Sequence, residues 1–312
     1  LNRLQRIVLR VWQAARDHPI AVITWVIILV GWEVAAHIVP ESTIEQAPLV
    51  PSWEYVFNDS LKALSGGWTH DFWAPVPQTG GESTYLGAFL ALADHTQATV
   101  VRLGVGLFFG VTTGVATGLA VSYFAWLRMM AWAPLNLLRM FPLLAAIPLF
   151  QFWLGGTLKG TTVFIGFGVW VLLVVATINS VSNVPDRYIE SARTLGASRF
   201  HTYRSIVIPA AIPELRTGLL LSAGLSWSLA VGAEYIGATN GLGNILSVAE
   251  FTTNTGRMMI IAVMISVASL SSFFILNSLF NRLVRWMPKA PASVRLNRVT
   301  TTARSLGGAP NE

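Results

Sequence analysis

Cysteine is absent from this 312-residue chain, which removes disulfides, thiol nucleophiles and thiolate metal sites from consideration. Charge is scarce too: 12% of the residues are Asp, Glu, Lys or Arg, against about a quarter in a typical soluble domain. Ten-residue segments of alternating polarity, the mark of a membrane β-barrel, are also missing. The five histidines, His18, His37, His70, His95 and His201, are scattered with no paired ligand spacing. A membrane-embedded enzyme would need convergent nucleophile, base or metal ligands, so no catalytic residue, metal site or bound cofactor is expected. What the chain does have is oil: it is 53% hydrophobic, with a mean hydropathy of +0.57.

Crossing a hydrocarbon core of about 30 Å takes roughly 20 mainly apolar residues in a helix, because no water is there to satisfy backbone polar groups. Six stretches meet that length, at 20–39, 98–123, 129–154, 161–181, 212–236 and 258–280. Pro134, Pro142 and Pro148 fall inside the third, which is expected to kink or break. The expected fold class is all-α, a polytopic bundle of about six transmembrane helices covering 20–287. The first apolar run is longer than a signal-peptide core and has no convincing small-residue cleavage site, so it reads as a retained helix.

A net charge of +6 and a pI near 10.1 would suggest nucleic acid in a soluble chain. In a membrane chain the placement of Lys and Arg matters more than their sum, and no nucleic-acid partner is expected. Arg3, Arg6, Arg10 and Arg16 lie in the segment 1–19, and Arg187, Arg193, Arg199 and Arg204 lie between spans four and five. Arg282, Arg285, Lys289, Arg295, Arg298 and Arg304 follow the last span. With six spans all these regions share one side; the opposite side holds Lys62, Lys159 and Arg257, and its first loop is crowded with Glu41, Glu45, Glu54, Asp59, Asp71, Glu82 and Asp94. The positive-inside rule makes both termini and the 182–208 loop cytoplasmic and the 40–95 loop external. Trp53, Tyr55, Trp68, Phe72 and Trp73 in that external loop read first as an interfacial belt and second as a docking surface. The tail 288–312 mixes Pro, Ala, Ser, Arg, Thr and Gly without apolar periodicity and reads as a flexible extension attracted to anionic lipid.

The connector 182–208 is long for a link between membrane helices, at 27 residues. Asn183 or Asp186 could supply an N-cap oxygen, Glu190 places negative charge near the helix start, and Gly196 offers a stop. A short cytoplasmic helix follows from this, then a glycine turn, then a second stretch to Pro209. Such a helix cannot span the membrane, so its outer face must meet water or a partner.

Within it, Glu190-Ser191-Ala192, three residues, Gly196, nine residues, then Ile206-Val207-Ile208-Pro209 resembles the EAA loop (E-A-A-x3-G-x9-I-x-L-P) of binding-protein-dependent ABC importer permeases. Ser191 replaces the second-position Ala and Ile208 replaces Leu. The run Ser191-Ala192-Arg193-Thr194-Leu195-Gly196-Ala197-Ser198-Arg199 and the segment from Gly232 through Glu234, Asn240 and Gly241 to Gly243 are similar to the nitrate, taurine and alkanesulfonate subfamily. So are Leu49-Val50-Pro51-Ser52, Leu138-Arg139-Met140-Phe141-Pro142 and Phe152-Trp153-Leu154-Gly155. The resemblance covers roughly 20–287, with 66–91 as an apparent insertion.

The resemblance implies a type I ABC importer permease in the bacterial inner membrane, with 190–196 as the coupling helix. Glu190, Ser191, Ala192, Arg193, Leu195, Gly196, Ile206, Ile208 and Pro209 would then engage cytoplasmic ABC ATPase subunits that bind ATP and Mg. A second permease copy, as a homodimer, an external solute-binding protein and the lipid bilayer complete the implied partners. The implied cargo is a small anion such as a sulfonate, taurine or nitrate.

Gly155-Gly156-Thr157-Leu158-Lys159-Gly160-Thr161-Thr162 looks at first like a phosphate loop. It lacks the Gly-Lys-Ser/Thr order and the strand-loop-helix setting, so nucleotide binding is not expected in this chain. Glu234 is ionisable at membrane depth and is a candidate gate or helix anchor by that fact alone; the subfamily shows a Glu in the matching segment. Trp227, Ser222, Ser226 and Ser228 could line a path, with helix packing an equal reading of the serines. Arg139 could attract an anion or snorkel to the surface. Glu33 and His37 share a helix face and read as a structural polar pair. Gly106, Gly110, Gly114 and Gly118, with Gly104 nearby, read as a packing stripe that could lie at a subunit interface. The rival class is an ion-gradient-driven secondary transporter, which would show matching repeat halves around a midplane ion site; none is visible.

Overall fold

In the computed structural model of the protein, residues 19–39, 47–70 and 72–284 are described. The basic segment before Pro19, Glu41, Glu45, Asp71, Arg285 and the 288–312 tail lie outside them. Among the described residues every regular element is helical. The long elements are α1 (Pro19–Ile38), α2 (Tyr85–Tyr123), α3 (Ala125–Met140), α4 (Ile147–Leu154), α5 (Leu158–Ser182), α6 (Asp186–Thr194), α7 (Arg199–Gly237), α8 (Leu242–Phe251) and α9 (Thr255–Leu283). The chain divides into two compact units between Phe273 and Phe274. Of the second, the described part is the end of α9, closed by a bond from Val284 N–H to Phe280 O at 2.9 Å.

Among the described residues five helices are long and apolar enough to cross a membrane, and α3 with the stretch 143–154, turned by 88°, makes a sixth where this bent pair counts as one span. The break falls where Pro142 follows Phe141. A residue before proline is driven out of the helical region, and Phe141 is extended, with ψ 127°. Pro134 stays inside α3, and Pro148 sits in the first turn of α4, where a missing N–H costs nothing. Of the three prolines expected to disturb this span, one breaks it.

The core of the first unit is the α2–α5–α7 contact. Gly106, Gly110, Gly114 and Gly118 are all buried along one edge of α2. A methyl group added at Gly110 would lie 2.6 Å from Val169 Cβ, and one at Gly106 2.8 Å from Ile165 Cγ2, both on α5. The small-residue stripe thus packs within the chain, and the subunit-interface alternative for it does not hold. Phe164, Ile165, Val169 and Leu173 of α5 then meet Trp227, Leu229, Ala230 and Ala233 of α7.

α2 begins at Tyr85, well before the apolar run at 98, with Thr84 Oγ1 accepting from Gly87 N–H at 3.1 Å as its N-cap. Its first turns are buried by the loop before it, folded as π-helical Tyr55–Ser60, a turn Leu61–Ala63 and a 3₁₀ turn Leu64–Gly67. Trp68 is only 5% exposed, packed with Ala74, Val76 and Ala91. It is not part of an interfacial belt, whereas Phe72 and Trp73 are exposed.

α1 has no buried residue. Its described ties are Trp32 Nε1 to Pro51 O at 2.9 Å, Trp53 N–H to Glu33 Oε2 at 3.0 Å and Trp53 Nε1 to Leu29 O at 3.3 Å. His37 Nδ1 lies 2.9 Å from the Glu33 carbonyl and 3.8 Å from its carboxylate. Glu33 therefore serves the backbone of Trp53 as well as its helical neighbour.

Candidate functional site

The loop singled out in the sequence forms a projecting helix. α6 starts at Asp186 after Pro185, with no side-chain cap. Asn183 instead donates from Nδ2 to Glu214 Oε1 at 2.6 Å, and Asp186 occupies the first turn. Neither supplies the expected N-cap oxygen, and Glu190 stands mid-helix rather than at its start.

The C-terminal end behaves as Gly196 suggests. Gly196 adopts φ +78° with nothing within 4 Å of a methyl group placed there. Its N–H donates to Arg193 O at 2.9 Å, and Ala197 N–H donates to Ala192 O at 3.0 Å. That pair of bonds is a Schellman closure, which needs a left-handed residue at this point. The requirement for glycine is therefore one of backbone conformation alone.

α6 has two faces. Ile189 and Ala192 turn inward, where Ile189, like Tyr203, packs on the cluster of Val184, Val207 and Ala211, and Ala192 is buried. Glu190, Ser191 and Arg193 are exposed, and Leu195 is 88% exposed. The chain then re-enters through Ser198, whose Oγ accepts from His201 N–H at 3.3 Å, into α7. Proline inside a helix removes a donor and crowds the preceding turn. Here Pro209 follows a π-helical stretch, Tyr203–Val207, that loosens the backbone just before it. Ile206 and Ile208 flank Val207, and it is Val207 that is fully packed.

At the other end of α7, Glu234 is 0% exposed and paired with Arg102 of α2, itself 3% exposed, at 2.7 Å between Nη1 and Oε1. Arg102 also donates from Nη1 to Asn240 O at 2.9 Å and from Nη2 to Asn240 Oδ1. Thr99 Oγ1 donates to Glu234 Oε2 at 2.9 Å.

The same cluster caps α8. A helix opens with N–H groups that have no partner in their own helix, and Gly241 has no side chain to offer them. Gly241 N–H donates to His95 Nδ1 at 3.0 Å, Leu242 N–H to Thr99 Oγ1 at 2.9 Å and Gly243 N–H to Glu234 Oε2 at 3.1 Å. A carboxylate at a helix N-terminus also meets the positive end of its dipole. Gly241, at φ +111°, would drive any side chain into that carboxylate. Glu234 therefore stands as an anchor joining α2, α7 and α8. Sequence reasoning overlooked Arg102, His95 and Thr99; the available signal was an arginine inside an apolar run.

The other path candidates separate. Trp227 lines a groove of about 710 Å³ between α7 and α9, with Ser228, Tyr235, Ser266 and Ser269. Ser226 and Ser222 are fully buried and donate to Ala223 O at 2.7 Å and Leu219 O at 2.9 Å, so they face packing. Arg139 is exposed in the last turn of α3, beside the break. The glycine-rich hairpin is a helix start: Thr157 Oγ1 accepts from Gly160 N–H at 3.3 Å, and Gly156 lies against the Gly237 backbone.

Residues 106–289 match the family described as binding-protein-dependent transport system inner membrane component. The taurine transport system permease protein TauC of Escherichia coli (strain K12) is 32% identical over 62% of this chain and 71% of its own length. The putative aliphatic sulfonates transport permease protein SsuC of Bacillus subtilis (strain 168) is 25% identical over 62% of this chain and 71% of its own length. A solved bacterial ABC transporter involved in import of the acidic polysaccharide alginate is similar in fold, with a TM-score of 0.51 at 10% identity over 88% of this chain and 99% of that one. With five to six apolar helical spans among its described residues, an EAA-type loop closed by Gly196 and a family match over more than half its length, the chain belongs to the inner membrane components of binding-protein-dependent transport systems, as a permease of the ABC importer family.

Proposed function

We propose that this chain forms the translocation path of an ATP-driven importer for a small organic anion of the sulfonate class, with taurine leading and nitrate as the inorganic counterpart. Cytoplasmic ATPase subunits, holding ATP and Mg, act on the outer face of α6. An external solute-binding protein delivers the cargo, and a second copy of the chain completes the path. The single observation that carries this reading is α6 itself, a rigid two-faced helix whose outer face presents Glu190, Ser191 and Leu195 to a partner. The relatedness to taurine and aliphatic sulfonate permeases supports the cargo class.

In this reading closure of the ATPase pair moves α6, and the spans rock as rigid bodies between two access states. No carboxylate or cation lines the α7–α9 groove. An anion passing there meets no fixed charge: the walls are mainly apolar, with the hydroxyl groups of Ser228, Tyr235, Ser266 and Ser269 among them.

The test is to purify the tagged chain gently from its native membrane and identify what comes with it. A stoichiometric ATPase is expected, and uptake of labelled taurine should depend on it. Glu190→Lys and Gly196→Val should each lower ATPase recovery and uptake at least about tenfold while membrane insertion stays unchanged, since a β-branched residue in the left-handed region costs about 1–2 kcal/mol and misaims the turn. Normal uptake in both variants would remove α6 from coupling, and reproducible absence of an ATPase would remove the ATP-driven class.

A further inference from the structure

A cavity of about 500 Å³ opens where the α2–α3 corner meets α6 and the start of α7. Three arginines from three elements line it, Arg128 of α3, Arg193 of α6 and Arg199 of α7, against one carboxylate, Asp186. Two of them are held in place by the corner itself. Arg128 Nη2 donates to Ser122 O at 2.6 Å. Arg199 Nη2 donates to Tyr123 O at 2.7 Å, and its guanidinium lies 5.0 Å over the Tyr123 ring. Each of these bonds uses one nitrogen of a group that offers five donors, leaving donors to spare for a ligand.

The surroundings fix the depth. Tyr123 packs edge-on against Phe124 at 4.9 Å and Phe200 at 6.3 Å, and Phe124 meets Trp126 at 6.5 Å. Phe124, Trp126 and Phe200 are all exposed. Exposed aromatic rings beside arginines, at the end of a membrane helix, mark the headgroup layer of a bilayer.

We propose that this cavity binds the phosphodiester group of an anionic phospholipid, with Arg128 and Arg199 as fixed donors and Arg193 as the arm that connects the lipid to α6. Guanidinium forks match phosphate oxygens in pairs, whereas a lysine would offer only a point charge. Basic pockets between membrane helices are suited to such headgroups. A bound lipid would join α3, α6 and α7 and so brace the projecting helix against the α2–α3 corner. The proposal is independent of the cargo.

Native mass spectrometry of the full chain, released from micelles offered equal amounts of phosphatidylglycerol and phosphatidylcholine, tests it. Wild type should retain phosphatidylglycerol in preference. The double variant Arg128→Gln/Arg199→Gln should retain roughly tenfold less, the loss expected for charge-assisted contacts worth about 1.4 kcal/mol. Arg187→Gln should change nothing, because Arg187 stacks on Tyr188 away from the cavity. Should the double variant not fold, Arg128→Lys and Arg199→Lys take its place, keeping charge but losing the fork. Equal retention by wild type and variants overturns the site. Displacement of the lipid by millimolar inorganic phosphate, in an arginine-dependent way, overturns the lipid assignment and leaves a free-phosphate site.

Discussion

Replacing Arg102 by Met leaves the Glu234 carboxylate buried with no cation beside it, and breaking a buried pair in this way costs about 3–5 kcal/mol. Adding Glu234→Gln should recover part of that loss, since an amide oxygen is neutral and still accepts from Gly243 N–H and Thr99 Oγ1. Thermal unfolding in detergent checks the sign: the double variant is expected to melt above Arg102→Met alone, and strict additivity of the two single effects would show the residues uncoupled. This is also where the sequence was half legible. Glu234 stands out as an ionisable residue near a span end, but its partner lies 132 positions away, and no local pattern links the two. Gly196 was fully legible as a helix stop, because that role is set by its own backbone and by the short run Ala192–Ala197 around it.

Among the elements, the α2–α5 contact makes the sharpest prediction. Gly110→Leu should destabilise by about 1–3 kcal/mol, the range for overpacking a close contact, because even a methyl group there would sit 2.7 Å from Gly166 O. Gly104→Leu, on the same helix with nothing within 4 Å, should be neutral within about 0.5 kcal/mol. Retained melting temperature in both variants would mean that α2 and α5 are not held together by this edge. The spans themselves were readable from length and apolarity, yet their true extents were not. Asp94, His95 and Gln97 interrupt the apolar run, so the first turns of α2 look like loop until Trp68 and Leu64 are seen burying them. α8 escaped notice for the opposite reason: it is short, and its cap comes from residues on α2 and α7 rather than from its own sequence.

For the whole molecule, the absence of cysteine becomes a tool. A single cysteine at Leu195, which is highly exposed on α6, and another at Phe72, exposed in the loop before α2, should be labelled by a membrane-impermeant maleimide from opposite faces of a sealed vesicle. Labelling of both from the same face would contradict the charge-based orientation and with it the placing of α6 beside the ATPase.

α2 also sets the mechanical scale of the molecule. Its 39 residues make a rod of about 58 Å at 1.5 Å per residue, longer than the hydrocarbon core it crosses. Near its midpoint it is bolted to α7 and α8 through Arg102; near its C-terminal end, Tyr203 Oη of α7 donates to Leu119 O at 2.7 Å and Arg199 grips Tyr123. The fulcrum is the glycine edge between these grips, where α5 lies too close to allow sliding. A rod held this way behaves as a lever: a tilt of about 5° about the glycine edge swings each grip, roughly 16 Å away, by about 1.4 Å in opposite directions. A small displacement delivered to α6 would therefore reach the Arg102 grip as a coordinated shift of α8, with no helix along the way needing to bend.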